Sequence, residues 1–376
     1  MPERLNEKLA EFQERVAGFA LREIAPLSKS ARKIPLEDIW KKLRAENLTG
    51  LAVPEEYGGM GSNALHITAA AEALTRYGRD PGIVLSWLIH VVLSRFFILR
   101  LGTEEQRGRW LPSLAGGEVI GCLAASEPEG GGHPKAINTA AERAGGDYIL
   151  TGVKNFLTNG PVAGLFIVIA VSGRREEKKE FTAFLVPQDR PGLSLTETMK
   201  LGVLESSPHC GLRLEKCPVP AENILGEKGD AYRRILVPFR NIEDVFLKGL
   251  VTGGMSLETE ILARLLRERD AAPDNRLKER IGGLLCRLEA LRVLAYEAAV
   301  LADRDPEDPG LDRLQLSFRE IAGGFQDELA GIARDAAVRN DGEMDRLQRD
   351  LSAVIHLAKN IARIRLGKIG GEFLKE

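Results

Sequence analysis

The sequence predicts a multidomain α+β protein that is mainly helical. Its three predicted domains are an N-terminal helical bundle (1–117), a middle antiparallel β-barrel or sandwich (118–228) and a C-terminal four-helix-type bundle (229–376). Apolar residues recur at helical spacing in the outer two ranges, and short apolar or β-branched runs fill the middle one. With 376 residues, of which 44% are hydrophobic, the chain can fill several cores.

The first range reads as a series of closely spaced helices. Periodicity predicts helices at 5–24, 36–47, 64–77 and 82–99, with a turn-forming cluster at 54–59. Thr103 is followed by two glutamates and a glutamine, a pattern typical of a helix N-cap, and it predicts a further helix through Trp110.

The apolar segment 82–99 raises the question of a membrane span, which needs about 20 apolar residues. The segment contains His90 and Arg95, and a charged side chain in hydrocarbon costs a few kcal/mol. We therefore interpret it as a core helix and expect no membrane span.

The middle range changes to a strand pattern. Predicted strands lie at 121–125, 148–153, 165–172, 181–186 and 210–214, separated by turn-forming groups such as Gly145-Gly146-Asp147. Because no helical pattern lies between them, an antiparallel barrel or sandwich is favoured over a parallel sheet. Beyond it, apolar stripes at 281–298, 314–332 and 347–361 predict three packed helices.

Charge and cysteine content exclude several classes of protein. Lys and Arg total 52 against 54 Asp and Glu, a net charge of -2, so we expect neither nucleic-acid binding nor a polybasic membrane surface. The four cysteines, Cys122, Cys210, Cys217 and Cys286, form no CxxC pair, which argues against a disulfide framework and favours a cytoplasmic location. Residues 1–14 are charged and do not resemble a secretory signal.

Common catalytic motifs do not occur in this sequence. It has no GxxxxGK[ST] loop, HExxH pair or GxSxG elbow, and the three glycines at 130–132 do not form GxGxxG. None of the five histidines pairs at metal-ligand spacing, so we expect no metal site.

Several strings, in order along the chain, resemble motifs of the acyl-CoA dehydrogenase family. They are 51–59 (LAVPEEYGG), 101–106 (LGTEEQ) with 110–112 (WLP), 125–128 (ASEP), 148–159 (YILTGVKNFLTN) and 219–226 (VPAENILG). Each string alone is weak, but their order and spacing identify the chain as a divergent member of the family. The family's layout of helices, β-barrel and helical bundle agrees with the domains predicted above.

The resemblance implies a flavoenzyme that uses FAD to oxidise an acyl-CoA thioester between its α and β carbons. A base removes the α-proton while the flavin accepts the β-hydride. Leu123, Ala125 and Ser126 are then expected to hold the flavin ring, Phe156 to pack on it where the family usually has Trp, and Thr158 to hydrogen-bond its edge. The simpler interpretations are ordinary strand hydroxyls and a core aromatic.

The resemblance also implies partners and a shared cofactor site. The family builds its FAD site across subunits, so we expect a homo- or hetero-oligomer, a dimer or tetramer. An electron-transfer protein is a further expected partner. Arg269 aligns with an Arg that reaches the adenosine half of FAD, but Ala272, Pro273 and Arg280 replace the other residues of that motif, and 336–342 replaces a glycine-rich loop. By the same comparison, Gly132 and Arg240 are assigned to substrate binding. Gly132 stands where the family has Ser, so the hydroxyl expected there is missing.

The catalytic base is the largest departure. The usual Glu aligns with Ala358, whose methyl group cannot accept a proton, and Lys359 is cationic at neutral pH. Some members place the base on an earlier helix, and the corresponding stretch, 239–244, offers Glu243 or Asp244, of which we assign Glu243. A solvated or interface acidic pair is the simpler interpretation.

Two functional hypotheses follow. In the first, the protein is an acyl-CoA dehydrogenase-like flavoenzyme with Glu243 as its base. In the second, it is a catalytically silent subunit that assembles with a competent homologue. The strand at 148–159 favours the first hypothesis, and the altered base and adenosine-site positions favour the second.

Overall fold

A computed structural model describes residues 7–28, 36–131, 133–176, 178–269, 274–339, 341–357 and 359–374. The helices are α1 (Glu7–Phe19), α2 (Ala25–Ser28), α3 (Leu36–Ala45), α4 (Ala64–Gly78), α5 (Pro81–Val92), α6 (Leu99–Leu101), α7 (Glu104–Ala115), α8 (Val237–Arg267), α9 (Asn275–Arg304), α10 (Gly310–Asp335), α11 (Gly342–Ile355) and α12 (Lys359–Phe373). The strands are β1 (Gly121–Ala124), β2 (Ala140–Ala144), β3 (Asp147–Thr158), β4 (Leu165–Arg175), β5 (Lys178–Pro187), β6 (Leu193–Leu195), β7 (His209–Val219) and β8 (Ile224–Leu225). This order of helices, sheet and helices confirms the predicted fold class.

Local sequence signals explain where α7 begins. The Gln106 N–H donates to Thr103 Oγ1 and the Thr103 N–H donates to Gln106 Oε1, both at 3.1 Å, which forms a capping box. The predicted N-cap is therefore confirmed. The helix continues past Trp110 to Ala115, with Pro112 inside it.

The strands form one sheet in the order β6-β7-β3-β2-β4-β5-β8, with β1 paired to β4. Most neighbours are antiparallel, as predicted, but β1 runs parallel to β4 and Ala140 of β2 pairs in parallel with Val171 of β4. These two parallel pairings depart from the predicted antiparallel pattern. The hairpin of β2 and β3 lies between β1 and β4 in the chain, so β4 returns beside β1 in the same direction. The polar strand β2 and the short strands β6 and β8 lacked the alternation that reveals a strand.

The chain divides into two compact units. The helical unit comprises Met1–Ser30, Ala64–Val84 and Asp244–Glu376, and the sheet unit comprises Ala31–Asn63 and Leu85–Glu243. The consecutive domain boundaries predicted from the sequence remain a prediction.

The interior of each unit follows the apolar pattern of its elements. In the helical unit, α9 and α10 bury most of their predicted stripes, including Leu284, Leu291, Phe325 and Ile332, whereas Leu285 of α9 is 50% exposed. In the sheet unit, the core residues are Cys122, Leu150, Phe166, Phe184, Leu212, Cys217 and others on the inner faces of β1, β3, β4, β5 and β7.

The apolar helix predicted at 82–99 is a buried element. Among the described residues one helical stretch, Pro81–Leu101, is long and apolar enough to cross a membrane, and 89% of its most apolar window is buried inside the protein. Burial of this kind fits the core helix expected from the sequence. Its Trp87 indole N–H donates to the Leu48 carbonyl at 2.8 Å, and both residues belong to the sheet unit.

Candidate functional site

The end of β1 and the middle of β3 meet in the sheet unit, and most of the predicted flavin residues lie there. The Asn155 N–H donates to the Ser126 carbonyl at 2.8 Å, and Lys154 Nζ donates to the Ala125 carbonyl at 3.2 Å. Leu123, two residues before Ala125, lies in β1 and pairs with Ile167 of β4. The structure thus brings together the segments that carry Leu123, Ala125, Ser126 and Phe156, which the sequence places more than two dozen residues apart.

Phe156 occupies an irregularity in β3. Lys154 pairs with Leu212 of β7 and Leu157 with Cys210, so Asn155 and Phe156 together oppose one residue, as in a β-bulge. Phe156 adopts a left-handed backbone conformation with φ of 56°, which costs an L-residue about 1–2 kcal/mol.

The side chain of Phe156 is 51% exposed. Because the ring is half exposed, it contributes little to the core. The interpretation of Phe156 as a core aromatic was therefore wrong. Strained conformations concentrate at ligand-binding sites, and the flat ring offers a surface on which another ring can stack.

Beneath this bulge lies a buried ion pair that the sequence did not predict. Lys154 Nζ lies 2.9 Å from Glu127 Oε1, and neither side chain is more than 8% exposed. Glu127 also accepts hydrogen bonds from the Asn138 and Thr139 N–H groups at 2.9 Å and from the Thr139 hydroxyl at 2.6 Å. The pair therefore fixes the loop after β1 to both β3 and the start of β2.

Burial and pairing act in opposite directions on this pair. Burial lowers the pKa of Lys154 to about 8, although Glu127 opposes the change. Burial alone would raise the pKa of Glu127, but Lys154 and the hydrogen bonds from Thr139 bring it below its ordinary value. Both groups are therefore charged at neutral pH.

Thr158 lies at the end of β3, opposite His209 at the start of β7. Its Oγ1 is 2.9 Å from His209 Nε2, and His209 Nδ1 is 2.8 Å from the Ser207 carbonyl oxygen. His209 is buried, and burial lowers its pKa below the usual value. In the sequence, His209 is one of five histidines and carries no signal that distinguishes it from the other four.

Two further predicted site residues, Arg240 and Glu243, lie in the first turns of α8. Arg240 has a buried Nη2 without a hydrogen-bond partner among the described residues. A buried donor of this kind is costly unless an acceptor arrives, and a phosphate, carboxylate or carbonyl oxygen of a ligand can supply one. The structure therefore leaves Arg240 suited to the substrate role predicted for it.

Glu243 and Asp244 differ in their surroundings although they are adjacent on α8. Glu243 is half-buried. Asp244 is buried and accepts a hydrogen bond from Arg319 Nη2 at 3.2 Å. Glu243 is the more accessible of the two carboxylates, and it stays the candidate base.

Asp244 belongs to a second polar cluster, in the helical unit. Lys248 is fully buried; its Nζ donates to the Asp244 carbonyl at 2.9 Å and to Gln315 Oε1. Burial lowers the pKa of Lys248 to about 7, with Asp244 opposing the change and Arg319 adding to it. The adjoining cavity has a volume of about 20 Å³, which is enough for one water molecule and not for a substrate.

Arg269 and Arg280 are the described residues of the motif expected at the adenosine half of FAD. Arg269 follows the end of α8, and its N–H donates to the Leu266 carbonyl at 3.4 Å. Arg280 on α9 binds Glu328 at 2.6 Å and Asp335 at 2.7 Å within the same chain, so its guanidinium is already occupied. Four positions of interest lie outside the described residues: Gly132, Ala272, Pro273 and Ala358. No group of three metal-binding side chains occurs among the residues that are described.

Comparison with known proteins identifies the family. The model of the acyl-CoA dehydrogenase N-terminal domain matches residues 6–118, and that of the middle domain matches residues 122–217. A 2-methylacyl-CoA dehydrogenase of Solanum tuberosum is 31% identical over 99% of this chain and 92% of its own length. The chain belongs to the acyl-CoA dehydrogenase family. An acyl-CoA dehydrogenase of Bacillus subtilis is 30% identical over 78% of each chain.

Solved structures of acyl-CoA dehydrogenase-like proteins agree with the fold. The prolyl acyl carrier protein oxidase AnaB superimposes with a TM-score of 0.86 at 25% identity, covering 97% of this chain and 99% of AnaB. Butyryl-CoA dehydrogenase of Megasphaera elsdenii superimposes with a TM-score of 0.85 at 22% identity, covering 97% and 98%. PigA, with a TM-score of 0.83 at 24% identity over 96% and 98% of the two chains, was solved as an FAD complex. These likenesses show the fold that the sequence predicted.

Proposed function

We propose that this chain binds FAD against β3 and oxidises an acyl-CoA thioester between its α and β carbons. The observation that carries the proposal is Phe156, an aromatic ring held half exposed in a left-handed conformation at the bulge of β3. Ordinary packing does not account for that combination, whereas stacking on a flavin ring does. The unpartnered Nη2 of Arg240 supports a ligand with an oxygen acceptor.

The roles of the chain's own residues follow from their positions. Leu123, Ala125 and Ser126 would hold the ring from the end of β1, and Phe156 and Thr158 from β3. Arg240 would hold an oxygen of the thioester substrate, and the carboxylate of Glu243 would accept the α-proton. FAD, when bound, supplies the acceptor for the β-hydride, so the loss of one proton and one hydride leaves a carbon–carbon double bond.

The alternative is a catalytically silent subunit that assembles with a competent homologue. It is favoured by Ala358 at the usual position of the base and by Arg280, which is engaged with Glu328 and Asp335. Oligomerisation as a dimer or tetramer, an electron-transfer protein as partner and a cytoplasmic location are further proposals.

The first experiment is the visible spectrum of the purified protein, followed by anaerobic addition of short, branched and long acyl-CoAs. Bleaching of the flavin band supports dehydrogenation. We expect Glu243→Gln to bind FAD and to lose bleaching, because an amide cannot accept the α-proton. Asp244→Asn is the matched comparison and should keep bleaching.

Two results would count against this assignment. If Asp244→Asn loses bleaching while Glu243→Gln retains it, the base has been placed on the wrong residue. A colourless protein that acquires flavin only when it is produced together with a homologue would favour the silent-subunit alternative.

Replacing Phe156 with Gly is expected to weaken FAD binding by about tenfold, since stacking contributes about 0.5–1.5 kcal/mol beyond area burial. The stability of the FAD-free protein should change by no more than about 1 kcal/mol, because relief of the left-handed strain offsets the flexibility of glycine. Titration with FAD and urea unfolding of the FAD-free protein measure the two effects. Phe156→Trp should keep FAD.

The neighbouring Leu157→Ala variant provides a control for core packing. Leu157 is 1% exposed, and its truncation is expected to cost about 2–5 kcal/mol of stability. A comparable loss in the Phe156→Gly variant would show that Phe156 is a core residue after all.

A further inference from the structure

The contact between His209 and Thr158 joins the ends of two neighbouring strands. Thr158 is half-buried, whereas His209 is 8% exposed. The imidazole ring is held on both sides, with Nε2 at 2.9 Å from Thr158 Oγ1 and Nδ1 at 2.8 Å from the Ser207 carbonyl oxygen. The orientation of the ring is therefore fixed, and each of its nitrogens has one partner.

These partners determine where the protons lie. The Ser207 carbonyl can only accept a hydrogen bond, so Nδ1 carries the hydrogen. Burial lowers the pKa of His209, and no charged side chain is among the causes of the change, so the ring is neutral at pH 7. Nε2 then has a lone pair and accepts the hydroxyl hydrogen of Thr158.

A hydroxyl that has given its only hydrogen to a histidine can offer other groups nothing but lone pairs. We propose that His209 is a positioning residue that makes the Thr158 oxygen an obligatory acceptor toward the bound cofactor. This inference rests on the proposed function, in which FAD lies against Phe156 and Thr158. The reduced isoalloxazine ring carries N–H where the oxidised ring has a lone pair at N5, so an accepting oxygen favours the reduced form.

The test compares His209→Leu, which removes the acceptor for the Thr158 hydrogen, with His209→Gln, whose side-chain oxygen can replace it. The readout is the midpoint potential of the FAD-loaded protein, measured by dye equilibration at pH 7. In His209→Leu the ratio of affinities for reduced and oxidised FAD should fall by about tenfold, which is about 30 mV for a two-electron couple. His209→Gln should recover most of the difference.

Thr158→Val supplies the second arm, because it removes the hydroxyl itself. The potential of Thr158→Val should fall by a similar amount, and adding His209→Leu to it should change nothing further. If His209→Leu does not fold, the tautomer measurement on the wild-type protein still decides the question. An effect of His209→Leu that persists in the Thr158→Val background would overturn the inference, since His209 would then act through another group.

A measurement without cofactor tests the proton positions directly. Nitrogen chemical shifts of ¹⁵N-histidine-labelled, FAD-free protein should show His209 protonated at Nδ1 and unprotonated at Nε2 at pH 7. The opposite tautomer overturns the inference. A wild-type protein that binds no FAD overturns the proposed function and this inference with it, whereas FAD binding with equal potentials in the wild type and His209→Leu overturns this inference alone.

Discussion

Replacing Lys154 with Met is expected to lower the free energy of unfolding by about 3–5 kcal/mol, because it leaves the Glu127 carboxylate buried without its cation. Lys154 is fully buried, and its Nζ is 2.9 Å from Glu127 Oε1 and 3.2 Å from the Ala125 carbonyl oxygen. The variant loses both bonds at once. Urea unfolding at pH 7 measures the loss, and FAD titration should show weaker binding, because the loop after β1 is no longer fixed.

A second substitution, at Glu127, the partner of Lys154, provides the decisive comparison. In Lys154→Met combined with Glu127→Gln no charge is left buried. The Gln oxygen can still accept from the Thr139 N–H and hydroxyl, whereas the Asn138 N–H loses its acceptor, so part of the lost stability should return. Lys41→Met is the matched surface control, since Lys41 and Asp38 are 3.6 Å apart and largely exposed. Its cost should stay below about 1 kcal/mol.

The Lys154→Met deficit should also depend on pH. Burial is the largest influence on the pKa of Glu127, and once the cation is removed only the hydrogen bonds from Thr139 oppose it, so we expect the folded pKa to rise above the unfolded value. Stability of the variant is then greatest at acidic pH and falls as the pH rises through the raised folded pKa. A deficit of equal size at pH 4.5 and pH 7.5 would contradict this account, as would a double variant no more stable than Lys154→Met.

The fold was accessible from the sequence where the signals are local. The Thr103 cap, the apolar stripe that includes Leu284 and Leu291, and the apolar run of β4 each depend on residues a few positions apart. The parallel pairing of β1 with β4 was not accessible, because it depends on which strands meet after a long excursion of the chain. The grouping of α1 and α4 with the C-terminal helices in one unit is a property of the same kind.

The same distinction between local signals and contacts of distant residues applies to the candidate site. Strings such as 148–159 place Phe156 and Thr158 on a strand, so their resemblance to flavin-contacting residues could be recognised. The ion pair of Lys154 and Glu127 joins residues 27 positions apart, and the bond of Thr158 and His209 joins residues 51 apart. No periodicity links such residues. They meet only when β3 pairs with β7 and packs beside the loop after β1.

The contacts that the sequence did not predict explain how the predicted site residues are held in place. A left-handed Phe156 is unfavourable by itself, and it persists because the residues around it are fixed: Lys154 by Glu127, Asn155 by the Ser126 carbonyl and Thr158 by His209. The buried polar bonds thus stabilise a backbone that presents an exposed aromatic ring.

A different buried group governs the second large effect, in the helical unit. Glu258 on α8 is 0% exposed; its Oε2 accepts from Gln326 Nε2 at 2.7 Å, and its Oε1 has no hydrogen-bond partner among the described residues. Burial raises the pKa of Glu258 to about 8, with Gln326 opposing the change. Glu258 is therefore protonated in the folded protein at neutral pH, whereas in the unfolded chain it ionises near its ordinary pKa of about 4.3.

Glu258→Gln is expected to stabilise the protein by a few kcal/mol at pH 8.5 and by almost nothing near pH 4.5. Between these values the folded state of the wild type holds a proton that the unfolded state has released, so wild-type stability falls as the pH rises toward 8. Each pKa unit corresponds to about 1.4 kcal/mol. The Gln side chain does not titrate, yet it can still accept from Gln326.

The measurement is the difference in unfolding free energy between the variant and the wild type across this pH range. Differences are needed because Lys248, with a pKa lowered to about 7, changes the stability of both proteins in the opposite direction at higher pH. Glu260→Gln is the matched control two positions along α8, since Glu260 is 44% exposed and pairs with Arg76 at the surface. Its difference from the wild type should remain within about 1 kcal/mol at every pH. A Glu258→Gln difference that does not grow between pH 4.5 and 8.5 would show that Glu258 is ionised in the folded protein, with a cation or water at Oε1.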